Sequence, residues 1–354
     1  MPSTIERRDM FFTGRDIGRR IVPDGYLHVA SSSILKRRKT TSLHEVERDG
    51  PIPFPVVSRP ICLLVNPAAG GGRAGRAADE VLHELHERRG LTVHREMTRD
   101  LHHAREIAAE AARAGEIVAV LGGDGLIGAA ADAMRGIDDA VIAILPGGRG
   151  NDLARVLGIP ADPLKACEVL LDGHSVPLDL GEVDGSAFVG IASLGFDSDA
   201  NRIANEAPAR LGSLVYAYGA LRALLAWRPA RFQITVEGQE RCFTGYSVCV
   251  ANASAYGGGM YVAPQARLDD GLLDVLYLED VPKLRFLTRL LPKVFQGTHV
   301  HEPSVHVLRG REVQIDADRP FVVYADGDPI GQLPAHIRAL PAALQVLVPA
   351  ASAG

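Results

Sequence analysis

Cysteine is scarce in this chain of 354 residues: there are four, at positions 62, 167, 242 and 249, and no two form a CxxC pair. So few, so scattered, give no disulfide framework and imply reduced thiols in a cytoplasmic protein. Long apolar runs are also missing. None approaches the roughly 20 residues that a bilayer-crossing helix needs, and no apolar core of signal-peptide length follows the early arginines, which argues against secretion. A basic excess is lacking too. Lys and Arg number 38 against 43 Asp and Glu, a net charge of −5 with a pI near 6.2, which argues against bulk nucleic-acid binding. No internal repeat or low-complexity tract interrupts the chain. What is present is ordinary: 47% hydrophobic and 23% charged residues, in a length that suits two domains.

The first 59 residues differ from the rest. They carry 11 Lys/Arg and 7 Asp/Glu, a balance of +4, so the remainder carries −9. "ILKRRKT" is a basic cluster and "DGPIPFPVVSRP" is proline-rich. This composition predicts a flexible leader over 1–59. A sharper reading is an electrostatic tether to anionic lipid.

From residue 60 the pattern becomes regular. "ICLLV" reads as a buried strand, and Ala78, Val81, Leu82 and Leu85 mark one helix face. "LTVHREM", "IVAVL" and "AVIAIL" read as further strands, each followed by a helical segment. Ala104, Ile107, Ala108 and Ala111 repeat the helical spacing, with Gly115 where a C-cap would stand. Such alternation predicts an α/β domain over 60–175 with a parallel sheet. In such sheets ligands bind beyond the carboxyl ends of the strands. After about residue 175 short alternating strands take over, as in "RFQITVE", "SVHVL", "EVQID" and "LQVLV". They predict an antiparallel β-sandwich domain over 176–354, interrupted by helices near 211–227 and 283–296, its last segment free to pack back on the first domain.

Three loops after the first-domain strands are glycine-rich: "NPAAGGG", "GGDG" and "PGGRGND". Glycine lets backbone N–H groups approach an anion, and a helix start adds partial positive charge. Gly70, Gly71, Gly72 and Gly75, with Arg73 and Arg76 beside them, could hold a polyphosphate. Gly70, Gly72 and Gly75 also fit GxGxxG, with Glu96 about where a dinucleotide fold places its ribose acid. Against that, Asn66 and Pro67 separate the strand from the glycines. A phosphate-cradling loop commonly carries lysine, whereas "GGDG" carries Asp124. A carboxylate facing a triphosphate makes sense when a cation lies between, and Mg²⁺ takes oxygen ligands of this kind. The plainer role for Asp124, as for Asn151 and Asp152, is capping of the next helix. Arg149 adds a charge suited to phosphate. On local pattern alone, "LDDG" is a turn and "DGDP" a hairpin turn.

These loops, in this order and spacing, resemble the diacylglycerol kinase catalytic-domain family, which includes sphingosine kinases and bacterial lipid kinases. The resemblance continues through "MTRDLHHAREIAAEAARAG", "LDLGEVDGSAFVGIASLGFDSDA", "LGSLVYAYGALRALLAWRPARFQITVEG", "PQARLDDGLLDVLYL" and "YADGDP", over roughly residues 58 to 350. It implies a two-domain kinase with ATP held between an α/β domain and a β-sandwich. Asn66, Gly70, Thr98, Gly122, Gly123, Asp124 and Gly125 would line the nucleotide. A structural Mg²⁺ would sit on the Asp270 side chain and the backbone oxygens of Arg267 and Leu272. Asp326 would orient or deprotonate the lipid hydroxyl, with Asp328 beside it, and Asp199 would lie near the lipid head group.

Leu126, Gly128 and Ala129 stand where the family has a threonine and an Asn-Glu pair. Arg149 replaces a threonine, and Asp328 replaces a glutamate. Arg149 could compensate the lost hydroxyls by binding phosphate directly. "VPKLRFLTRLLPKVF" interleaves Lys283, Arg285, Arg289 and Lys293 with leucines, as a membrane-facing helix would; packing on the sandwich is the plainer reading. Trp227 reads as packing, and His299 with His301 lacks the spacing of a metal motif. The expectation is an ATP- and Mg²⁺-dependent lipid kinase, cytoplasmic and peripheral at the inner membrane face, with diacylglycerol the first acceptor and transient membrane contact. A homodimer stays open, and no nucleic acid is expected. The alternatives are a kinase of a sphingoid lipid or of NAD, a dinucleotide oxidoreductase, and a catalytically weak nucleotide- or lipid-binding relative.

Overall fold

The computed structural model describes residues 59–206 and 215–350. The basic cluster at 36–39, nearly all of the 1–59 leader and the start of the helix expected from residue 211 lie outside these.

The first lobe runs β1 (Ile61–Val65), α1 (Ala69–His83), β2 (Val93–Met97), α2 (Leu101–Arg113), β3 (Ile117–Gly122), α3 (Asp124–Met134), β4 (Val141–Pro146), α4 (Asp152–Val156) and α5 (Pro163–Asp172). β1, β3 and β4 are buried at every residue, as an apolar strand covered on both faces must be. β1 lies between β2 and β3, and β3 pairs with β4, all in parallel. α2 presents Ala104, Ala108 and Ala111 to the core, small residues that let the helix lie close to the sheet. Asp100 caps this helix, accepting from the His103 N–H at 2.8 Å. Gly115 has φ +79°, one residue past the cap, as the sequence pattern expects.

The second lobe contains β5 (His174–Val183), β6 (Ser186–Phe188), β7 (Ile191–Gly195), α6 (Phe196–Glu206), α7 (Val215–Ala226), β8 (Ala230–Val236), β9 (Gln239–Ala251), β10 (Leu273–Glu279), a helical segment at 283–294, then β11 (Val305–Gly310), β12 (Glu312–Ala317), β13 (Val322–Ala325), β14 (Asp328–Gln332) and β15 (Ala335–Val348). β7, β8, β9, β10, β12 and β13 pair antiparallel with their neighbours. In β8, Phe232, Ile234 and Val236 are buried while Arg231 and Gln233 are exposed, the alternation of a strand with one wet face. The core here is aromatic: Trp227, Phe232, Tyr246 and Phe286 are buried together, with Tyr246 stacked on Phe286 at 5.0 Å between centroids.

β15 ties the lobes together. Its first residues pair antiparallel with β12, its length runs along β5, and Gln345 and Val346 pair in parallel with β4. The last segment of the chain thus returns to the first lobe. Asp179 on β5 reinforces the junction: its buried carboxylate accepts from the Gly271 N–H at 2.6 Å and the Ala342 N–H at 2.7 Å.

Candidate active site

Parallel pairing of β1, β3 and β4 brings their carboxyl ends together, so the three glycine loops meet. After β1 the backbone turns left-handed through Gly70, Gly71 and Gly72 (φ 61°, 71° and 85°). Turn backbone of this kind can present N–H groups to an anion, while the Gly72 N–H goes to the Ala68 carbonyl at 3.3 Å. The loop rests on the third one: a Cβ on Gly70 would collide with the Gly147 carbonyl oxygen, and the Arg73 guanidinium donates to the Gly148 carbonyl. The second and third loops also touch. The Gly147 N–H donates to the Gly122 carbonyl at 2.7 Å, and a Cβ on Gly123 would stand 3.2 Å from the Gly148 Cα. Asn151 closes the third loop, accepting from the Gly148 N–H at 2.8 Å.

Asp124 begins α3. One carboxylate oxygen accepts from the Leu153 N–H at 3.2 Å, and the other would lie 3.1 Å from a Cβ on Gly150. Asp124 therefore braces the start of α4, across the loops, rather than capping its own helix. Burial raises its pKa, and the nearby Asp152 adds to this. Asp152 pairs with Arg155 and accepts from the Gly258 N–H at 2.7 Å, tying the third loop to the second lobe.

From the other side, the turn between β13 and β14 sets Asp326 and Asp328 against α3. Asp326 is left-handed (φ 52°) and accepts the N–H groups of Val189 and Gly190, one on each oxygen, both at 2.9 Å. Burial pushes its pKa up to about 7, with the negative charges of Asp124 and Asp328 assisting. Asp328 is raised by burial as well, and its carboxylate would stand 3.2 Å from a Cβ on Gly125. The negative charges of Asp124 and Asp326 repel one another, which helps to keep Asp326 protonated near neutrality. The Asp124 carboxylate, an oxygen donor, suits a hard divalent ion such as Mg²⁺.

A cavity of about 790 Å³ opens beside the loops. Gly70, Arg73, Arg149 and Gly150 line one end, and Phe286, Leu290, Leu291 and Val294 line the other. Between them lies a polar belt of Asp197, Ser247, Cys249 and Tyr256. Asp197 lies deep in the protein but reaches the cavity wall. Burial raises its pKa, and the Cys249 thiol donates to it at 3.1 Å.

Of the residues singled out from the sequence, Gly70, Gly122, Gly123, Asp124, Gly125, Arg149, Asp326 and Asp328 are thus brought into one neighbourhood, in which Gly70 and Arg149 line the cavity and the three acids do not. Asn66 and Thr98 stand at its rim: Asn66 accepts from the Ala68 N–H at 3.0 Å, and the Thr98 N–H donates to the Val65 carbonyl at 2.8 Å. The 267–272 loop lies apart from it. There Asp270 accepts from the Leu272 N–H at 3.0 Å and meets Arg309 at 3.3 Å, while the Arg267 side chain pairs with Asp269. Asp199 is half-exposed, 3.8 Å from Arg202, and is absent from the cavity lining, where Asp197 stands. The sequence reading missed Asp197, Cys249, Tyr256 and the bracing role of Asp152. The "GFDSDA" stretch offered two acids two residues apart, and only the placement of α6 selects between them.

An α/β lobe with glycine loops at its sheet edge, closed by an antiparallel lobe that contributes acids and an apolar cavity, defines a nucleotide-type transferase architecture. The chain matches the family described as "Diacylglycerol kinase catalytic domain" over residues 60–183, and that described as "YegS C-terminal NAD kinase beta sandwich-like domain" over residues 190–348. It is 36% identical over 298 residues to a protein of Mycobacterium tuberculosis named "Diacylglycerol kinase", covering 82% of this chain and 95% of that one. A Pseudomonas aeruginosa protein named "Probable lipid kinase YegS-like" is 34% identical over 252 residues, 70% of this chain and 82% of that one. A crystal structure of a diacylglycerol kinase from Bacillus anthracis str. Sterne shares the fold, with a TM-score of 0.65 at 21% identity, over 82% of this chain and 97% of that one. The chain belongs to the diacylglycerol kinase catalytic-domain family of lipid kinases.

Proposed function

We propose that this protein transfers the γ-phosphoryl group of ATP to a lipid hydroxyl, with diacylglycerol the first acceptor. One observation carries the reading: a single cavity runs from glycine-lined, arginine-bearing loops, past a belt of hydroxyl and carboxyl groups, into an apolar end. A phosphoryl donor suits the first part, an acceptor hydroxyl the second and acyl chains the third.

Phosphoryl transfer needs positioning and charge neutralisation more than covalent help. Gly70 and Gly71 would supply N–H donors for the polyphosphate, and Arg73 and Arg149 would supply positive charge at the cavity end. Asp326, with a pKa near neutrality, suits the removal of a hydroxyl proton. Asp197 and Tyr256 would fix the acceptor by hydrogen bonds. Asp124 would hold Mg²⁺, which when bound neutralises phosphate charge, and Asp326 stays free to act as the base. A second, structural Mg²⁺ would sit on the 267–272 loop, on the Asp270 side chain and the backbone oxygens of Arg267 and Leu272, where Arg309 now meets Asp270 at 3.3 Å.

The lipid must come from a membrane, and the second lobe offers a suitable surface. Leu225 and Leu284 are 71% and 72% exposed, and the Lys283 ammonium donates to the Leu225 carbonyl at 2.9 Å, so the two lie side by side. Phe295, at the cavity, is 52% exposed. Exposed leucines among lysines and arginines fit an anionic bilayer. Among the described residues no helix is long and apolar enough to cross one.

The test is phosphate transfer from labelled ATP, with Mg²⁺, to a panel of diacylglycerol, sphingoid lipid and NAD. Label on diacylglycerol in wild type and not in Asp326→Asn supports the proposal. Label on NAD alone, or tight ATP binding without transfer to any lipid, overturns it.

A further inference from the structure

At the opposite end of the parallel sheet from the glycine loops lies a side-chain cluster that the kinase reading does not use. Cys62 on β1 pairs in register with His94 on β2. Glu116 immediately precedes β3, whose Ile117 pairs with Ile61. Because side chains alternate along a strand, this register sets all three residues on one face of the sheet. A sulfur, a ring nitrogen and a carboxylate oxygen from the three lie within 4.8 Å of one another.

The cluster is incompletely satisfied by the protein. Glu116 Oε2 is buried without a hydrogen-bond partner and lies 3.7 Å from His94 Nε2. A buried carboxylate oxygen left without a donor costs free energy. Arg59 stands nearby but directs its donors to the carbonyls of Gly115, Asp139 and Glu116, away from the carboxylate. Glu96, two residues beyond His94 and so on the same face, adds a second negative charge near the thiol. A cation would relieve both charges, and among the described residues the His94 ring beside Glu116 supplies one only when it is protonated.

We propose that Cys62, His94 and Glu116 form a binding site for a transition-metal dication, with zinc the first choice. Thiolate, imidazole and carboxylate together suit zinc and not Mg²⁺ or Ca²⁺, which take all-oxygen shells. In a tetrahedral site the ligand atoms stand about 3.5 Å apart, and the His94 side chain, 49% exposed, can turn to close the set. Three protein ligands leave the fourth position to water. Binding displaces the thiol proton to solvent and forms the metal–sulfur bond. The ion would clip β1, β2 and the start of β3 together, stabilising the first lobe far from the phosphoryl chemistry.

The experiment is a cobalt(II) titration of the full chain, reduced and freed of metal by a chelator. We expect one equivalent to bind with a sulfur-to-cobalt charge-transfer absorption. That absorption disappears in Cys62→Ser, and the affinity falls by about tenfold or more in His94→Ala. Zinc raises the Tm of wild type, and at the same zinc concentration raises that of His94→Ala less. Folded wild type without the absorption at stoichiometric cobalt overturns the site. So does an absorption that persists in Cys62→Ser, which would assign it to the exposed Cys242. Should Cys62→Ser not fold, the His94→Ala arm decides, because that side chain lies at the surface; unchanged cobalt affinity there overturns the site.

Discussion

Asp326 occupies the space that a side chain at position 128 would need: a Cβ on Gly128 would come within 2.8 Å of the Asp326 carboxylate oxygen. The glycine in α3 and the acid in the turn before β14 are therefore one arrangement. The family pattern has asparagine at 128. Restoring it, as Gly128→Asn, is expected to push Asp326 off the Val189 and Gly190 N–H groups and to lower kcat by at least about tenfold. The crowding should also cost about 1–3 kcal/mol in stability. Urea unfolding and lipid phosphorylation check both outcomes, and an active, equally stable variant would refute the coupling.

The acid itself gives a pH signature. Asp326 has a pKa of about 7 in the folded protein, above its ordinary value of 3.8. A base must be deprotonated, so kcat should rise with pH through about 7. Stability runs the other way. Between those two values the folded chain binds the proton and the unfolded chain does not, so this group's contribution is full at low pH and is lost as pH rises through the folded pKa. Asp326→Asn should therefore abolish turnover while making Tm less sensitive to pH between 5 and 8. Thermal scans at fixed ionic strength, with and without the substitution, measure this.

The cavity predicts separable effects on the two substrates. Val294→Trp places an indole at the apolar end, where acyl chains would lie. The KM for lipid should rise about tenfold or more, while ATP affinity, measured by nucleotide titration, stays within about twofold. An equal loss of ATP binding would mean that the apolar end and the loops are not two subsites of one cavity.

Membrane contact is tested at the exposed leucines. Each fully buried leucine is worth about 1.5–3 kcal/mol. Leu225→Glu with Leu284→Glu should reduce binding to anionic vesicles by about tenfold or more and spare activity on detergent-dispersed lipid. Vesicle sedimentation alongside a micellar assay distinguishes this from a folding defect.

Much of this was legible in the residues. The runs "ICLLV", "IVAVL" and "AVIAIL" read as buried strands of a parallel sheet, which puts their glycine loops on the sheet's carboxyl edge. The alternation of Phe232, Ile234 and Val236 announced a half-wet antiparallel strand. Other features were not legible because they arise between distant segments. Asp124 looks like a cap for its own helix, yet it accepts from Leu153, 29 positions on. Arg309 meets Asp270 only because β10 and β11 pair antiparallel. Asp197 rather than Asp199 reaches the cavity, a choice fixed by how α6 rests on the sandwich.

The sequence alone determined the alternation of elements, the glycines where backbone must approach backbone and the carboxylates beside them, because periodicity and loop composition are local properties of the chain. Tertiary structure decided which acids share a charge environment, which side chains enclose a cavity and how β15 joins the two lobes. Burial, the proximity of like charges and strand register come from packing, and they exist only once the chain is folded.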